Sequence, residues 1–132
     1  MIVVDASALV AIALNEPEKP VFTATLQKVD IARIAPINYV ETGLILKQRG
    51  YIERRDHLDE WLEIYGVVVD DESPLSSAAL EAYLRFGKGL HPARLNLADC
   101  FAYALARQLD APLLYKGEDF ARTDIRSALQ PT

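Results

Sequence analysis

Short unbroken apolar runs alternate along the chain with longer stretches in which apolar residues recur every three or four positions. Ile2-Val3-Val4 is one such run, the pattern of a strand covered on both faces. Asp5 or Ser7 then caps a helix predicted over Ala6–Leu14. Pro17 and Pro20 break that pattern, and a second helix is expected over Val21–Val29. Ile31–Ala35 reads as a strand. Pro36 suits the first position of a helix that Gly50 ends. Residues 53–65 carry the next predicted helix. Val67-Val68-Val69 is the next strand, closed by Asp70 and Asp71 as solvated turn residues. Ser73 or Ser76 caps a helix to Phe86. The glycines and proline of GKGLHPARL mark a loop, and Asn96 caps a helix to Asp110. Pro112 leads into a strand at Leu113-Leu114-Tyr115, a turn follows at 117–120, and Ile125 lies in a weak final strand.

Strands alternating with helices predict an α/β fold, with a mostly parallel central sheet sandwiched by helices. The length of 132 residues and the absence of a linker or repeat predict one domain over 1–132. A hydrophobic fraction of 51% with 25% charged residues argues against disorder. The longest apolar stretch, Ala8–Leu14, is far short of the ~20 residues that span a bilayer. The N-terminus lacks a basic region and carries Asp5, so it is read as folded structure rather than an export signal. Cys100 stands alone, which excludes an intrachain disulfide and predicts a buried core thiol in a reduced, cytoplasmic setting. A net charge of −5 argues against a generic basic coat for nucleic acid.

Parallel α/β sheets bind ligands beyond the carboxyl ends of their strands. Asp5 and Asp119 both fall there, although a lone Asp in such a place also serves as a cap or turn residue. Glu41 stands out differently. It lies in a stripe of Ile37, Val40, Leu44, Ile45 and Gln48 with the spacing of a core-facing helix surface. A carboxylate there has to be salt-bridged, protonated, at an edge that reaches water, or bound to a cation. Asp99 has an easy capping role three residues after Asn96, yet Asn96, Asp99 and Tyr103 share one side of their helix. The opposite side, Leu97, Phe101, Leu105 and Leu109, is expected to supply core. Clustered carboxylates attract hard cations such as Mg²⁺ and Mn²⁺, and two such ions can drive phosphodiester cleavage. No Walker loop, dinucleotide fingerprint or nucleophile elbow is present.

These motifs resemble those of PIN-domain ribonucleases of the bacterial VapC toxin type. The likeness runs from IVVDASAL at 2–9, through INYVETGLIL around Glu41 and FGKGLHPARLNLADCFAYALA at 86–106, to PLLYKGEDFARTDI at 112–125. It implies a metal-dependent endoribonuclease with Asp5, Glu41, Asp99 and Asp119 as catalytic, metal-holding acids for one or two Mg²⁺ or Mn²⁺ ions. Ser7 and Asn96 would support them, and Asp124 is a further contributor to consider. Toxins of this type often carry Asn or Asp where Glu118 stands, and the Asp-Phe pair favours Asp119 as the matching acid. The resemblance also implies a small VapB-type antitoxin as partner, an RNA substrate, and a homodimer.

Setting the four acids aside leaves only −1 of the net −5. Lys88, Arg94, Lys116 and Arg122, in loops and turns near the motif blocks, are the candidate contacts to RNA. Tyr39 and Tyr115 could stack on bases or pack in the core. His57 and His91 read as solvated helix and loop residues. Three other readings compete. A phosphoacceptor receiver module would use Asp5, Asp70 and Lys116 but leaves Glu41 unexplained. A pure interaction protein with a degenerate site sits poorly with four acids. A PIN nuclease of RNA processing, working without an antitoxin, is the third.

Overall fold

A computed structural model describes residues 1–129. Four parallel strands form one sheet in the order β3-β2-β1-β4: β1 (Ile2–Val4), β2 (Ala32–Ile34), β3 (Val67–Val69) and β4 (Leu113–Leu114). The registers Ile2↔Ala32, Ala32↔Val67 and Val3↔Leu113 fix the stack. The helices are α1 (Ala6–Ala13), α2 (Lys19–Lys28), α3 (Pro36–Gln48), α4 (Arg55–Ile64), α5 (Ser76–Phe86) and α6 (Leu97–Gln108). The chain lays down β1, β2 and β3 in one direction, then returns to place β4 on the other side of β1. That reversal puts a topological switch between β1 and β4, where a cleft opens at the carboxyl ends of the strands.

The unbroken apolar character of β1 follows from cover on both faces. Val3 packs among residues of α5 and α6, whereas Ile2 and Val4 pack among residues of α1, α2 and α4. All three β1 residues are buried. β3 has the same composition but is an edge strand, and its central Val68 is 51% exposed. Helix α6 is the interior helix of the fold. Its Ala102, Ala104 and Ala106 are buried, small enough to let neighbouring backbones approach closely. Cys100 is buried beside them, as expected.

Several local expectations are corrected. Helix α2 begins at Lys19, because Pro20 is tolerated in its first turn rather than breaking it. Neither Ser73 nor Ser76 caps α5: Leu75 is the capping position, without a side-chain bond. Ser73 instead bonds Asp70, whose carboxylate accepts from Glu72 N, Ser73 N and Ser73 Oγ. Asp70 is therefore a buried turn-closing residue, not a solvated one. The final strand reduces to a single bridge, Leu113↔Ser127. Leu97, expected in the core, is 62% exposed, whereas Tyr103, placed on the polar side, is buried among core residues. Helix periodicity located the faces of α6, but its central position buries more than one of them.

Candidate active site

The cleft at the switch point has a volume of about 450 Å³ and is lined by Asp5, Ser7, Glu16, Glu41, Asn96, Asp99 and Lys116 among others. Asp5 caps α1: its Oδ2 accepts from Ser7 N at 3.0 Å. Its Oδ1 is buried and has no hydrogen-bond partner among the described residues. Ser7 has a second task, since its Oγ accepts from Lys116 N at 3.0 Å and ties the start of α1 to the segment after β4.

Asp99 and Asn96 form a reciprocal cap. Asp99 N donates to Asn96 Oδ1 at 2.8 Å, and Asn96 N donates to Asp99 Oδ2 at 3.0 Å. The cap and the cleft are thus compatible uses of one residue, because the second carboxylate oxygen of Asp99 remains outside the cap. Glu41 enters from α3 in a way the apolar spacing did not foresee. The buried face of α3 is Asn38, Thr42 and Leu46, while Val40 is 53% and Leu44 59% exposed. Glu41 sits half-buried on the cleft edge, with no salt bridge among the described residues.

Asn38 was not anticipated. It is fully buried, and its Nδ2 donates to Ala98 O at 3.0 Å, pinning α3 to the first turn of α6. The same amide faces Glu41 and favours its charge. A polar residue one turn before Glu41 was the available signal, masked by the apolar residues around it. Glu16 was also missed. It and Glu18 hold the Lys116 ammonium at 3.2 and 3.5 Å across a hundred-residue sequence gap that no local pattern reports.

The electrostatics are those of crowded acids. Burial raises the Asp5 carboxyl above the ordinary carboxylate range, against hydrogen bonds from Ser7 that lower it. Burial first, then the charge of Asp5, raises Glu41. Burial pushes Asp99 up to about 7, reinforced by the charges of Asp5, Glu41 and Asp119 and opposed by the bond from Asn96 N. Asp119 is exposed at the start of a short 3-10 turn, Phe120–Arg122, and is not part of the cleft lining, although its charge reaches Asp99. Glu118 beside it is exposed too.

Asp124 is not gathered into this cluster. Its carboxylate accepts from Tyr103 OH at 2.5 Å and from Arg85 at 3.4 Å, which ties the C-terminal segment to α5 and α6. The remaining polar candidates also have structural partners. Tyr39 OH donates to Asp59, Tyr115 packs on Phe120, and His57 Nδ1 and His91 Nδ1 accept from backbone amides. Arg122 donates to Pro92 O at 3.2 Å. Lys88 and Arg94 have no carboxylate partner among the described residues. The receiver-type arrangement is not formed, since Asp70 closes its own turn and lines a different depression from Asp5.

This donor set is all oxygen and suits a hard divalent cation. The buried, unpartnered Asp5 Oδ1 is the sharpest sign of fit, because a buried carboxylate oxygen needs a donor or a cation. Among the described residues no three acidic, His or Cys side chains are gathered closely enough to hold a metal ion between them. An open arrangement is what Mg²⁺ tolerates, because it keeps several waters and takes one or two carboxylates.

Residues 2–126 match the PIN domain family model. The chain is 40% identical to Ribonuclease VapC30 of Mycobacterium tuberculosis over 130 residues, covering 98% of this chain and 99% of that one. It is 40% identical to Ribonuclease VapC42 of the same species over 128 residues, covering 96% and 98%. Ribonuclease VapC of Mycolicibacterium smegmatis is 39% identical over 124 residues, covering 93% and 96%. Among solved structures, Mycobacterium tuberculosis VapC20, a Sarcin-Ricin loop cleaving toxin, superposes with a TM-score of 0.71 over 95% of this chain and 96% of that one. At 17% identity that last likeness is one of fold.

Proposed function

The chain belongs to the PIN domain family of VapC ribonucleases, and from that premise we propose that it is a divalent-metal-dependent endoribonuclease acting as the toxin of a toxin–antitoxin pair. The observation that carries the reading is the meeting of Asp5, Glu41 and Asp99 in one cleft, each with its acidity suppressed by burial and two of them also by neighbouring charges. Carboxylates that repel one another are a poor structural choice and a good cation site.

Asp5, Glu41 and Asp99 would hold Mg²⁺ or Mn²⁺, and Asp119 would complete the acidic set from the turn after β4. When bound, such ions supply the Lewis acidity that activates a water and stabilises the leaving oxygen. The protein's own groups do the positioning. Ser7 fixes one oxygen of Asp5 and leaves the other directed elsewhere. Asn96 fixes Asp99 through the cap. Asn38 sets the spacing between the helices that carry Glu41 and Asp99. Asp99, with its pKa near neutrality in the metal-free cleft, is suited to hold or release a proton there.

The exposed apolar face of α3 bears on the partner. Ile37, Val40, Leu44 and Ile45 line a shallow depression with Leu97, immediately beside Glu41. A surface of this kind fits a VapB-type antitoxin or a second copy of the chain, either of which would bury it beside the cleft.

The test is cleavage of end-labelled RNA by the purified chain with Mg²⁺ or Mn²⁺. Cleavage is expected to need metal, to leave 5′-phosphate ends, and to fall by orders of magnitude in Asp99→Asn. Undiminished cleavage in excess EDTA would refute metal dependence.

A further inference from the structure

The longest acid-free stretch of the chain is 82–98, and it holds Arg85, Lys88 and Arg94. The rest of the chain therefore carries −8 against a total of −5. Arg85 is engaged by Asp124 and stacks over Phe86. Lys88 and Arg94 lie exposed on the loop between α5 and α6 without a carboxylate partner among the described residues.

That loop is built as a rigid shape. Lys88 N donates to Leu95 O at 2.9 Å and Leu95 N to Phe86 O at 3.0 Å, closing its base. His91 N donates to Gly87 O, Arg94 N to His91 O, and Ala93 N to His91 Nδ1. The His91 ring sits edge-on to Phe86 at 5.0 Å. Ala93 and Leu95 are fully buried, so the exposed Arg94 is held between two anchors. Its φ is +56°, in the left-handed region. The other non-glycine residues with positive φ are Asn15 and Asp110, types that tolerate it. Arginine adopts this conformation less readily, and residues held in it by the surrounding structure cluster at binding and active sites.

The loop also adjoins the cleft. Leu95 is followed at once by Asn96, which lines the acidic site, and Arg122 donates to Pro92 O from the turn that begins at Asp119. A polyanion entering a cleft of carboxylates needs compensating positive charge next to it.

We propose that the loop 87–95 is the surface that grips the RNA strand, with Arg94 and Lys88 on phosphates flanking the bond cut in the acidic cleft and Arg122 bracing the loop. Lys116, bound by Glu16 and Glu18, is not part of that grip. This rests on the endoribonuclease reading above. RNA is favoured over an acidic polypeptide because the loop runs directly into the residues that line the cleft.

The test uses the full chain carrying Asp99→Asn, so that bound RNA stays intact, and a fluorescently labelled single-stranded oligoribonucleotide in Mg²⁺. Adding Arg94→Gly is expected to weaken binding roughly five- to tenfold and to lower the slope of log affinity against log salt by ~0.7. Its melting temperature should not fall, since glycine adopts this φ freely. Lys88→Ala should act in the same direction, and Lys28→Ala, an exposed base of α2, should change neither quantity. Unchanged affinity and slope in both loop variants would overturn the proposal. So would a lower melting temperature in Arg94→Gly with the slope unchanged, which makes Arg94 a packing residue. If the loop variants lose affinity for an acidic polypeptide but not for RNA, the grip is for protein and the proposal fails. The underlying reading fails separately, if metal-loaded wild type and Asp99→Asn cleave RNA alike or not at all.

Discussion

Replacing Asp99 by Asn should make the metal-free protein more stable at alkaline pH. Burial and the charges of Asp5, Glu41 and Asp119 push the Asp99 pKa up to about 7 from its ordinary 3.8. A group whose pKa is raised on folding contributes its full stability below the unfolded value and loses it as pH rises through the folded value. In EDTA the wild type should therefore lose stability as pH rises from about 4 through about 7. The shift alone sets an upper bound of ~4 kcal/mol, and the open, hydrated cleft reduces that to ~1–2 kcal/mol. Asparagine keeps the Oδ acceptor for Asn96 N and removes the charge. Thermal melts in EDTA should show Asp99→Asn above wild type by ~3–10 °C at pH 8, with the gap narrowing at pH 5, where the folded wild-type carboxyl is protonated. Saturating Mg²⁺ should reverse the order by stabilising wild type and not the variant. A variant that is less stable than wild type in EDTA by the same margin at both pH values would show that the cap, not charge crowding, governs this residue.

Glu41→Gln should likewise be at least as stable as wild type in EDTA, since burial and Asp5 disfavour its charge. Mg²⁺ at one hundred times its dissociation constant should add ~2.7 kcal/mol to wild type and clearly less to the variant, read by chemical denaturation. Asp124→Ala should cost ~1 kcal/mol through loss of the bond from Tyr103 OH. It should leave RNA cleavage intact, so an activity loss comparable to that of Asp99→Asn would return Asp124 to the site. Leu44→Lys on the exposed face of α3 should move stability by no more than ~0.5 kcal/mol. On the proposed reading it should weaken capture of a co-expressed VapB-type antitoxin, or weaken any self-association seen by light scattering. No change in either assembly would remove that face from any interface.

The elements were legible because the residues that define them act locally. Asn96 caps α6, Pro36 opens α3 and the valine runs make strands, because each of these preferences is settled within a few residues of chain. Asp5, Glu41 and Asp99, which line one cleft, stood out in the sequence as acids at a strand end, in an apolar stripe and in the first turn of a helix, whereas Asp119 lies exposed outside that lining. Which way a helix faces is a different matter. The apolar stripe of α3 points outward and its polar Asn38 and Thr42 point inward, because α1 and α6 pack against the face with the smaller, hydrogen-bonding side chains. Asp124 and Tyr103 meet across 21 residues, and Lys116 meets Glu16 across a hundred residues of chain, because β4 is laid beside β1. Sequence spacing sets only the relative angle of side chains on one element. The choice of face, and the partners found on other elements, belong to the order in which the strands assemble and the volume left between them.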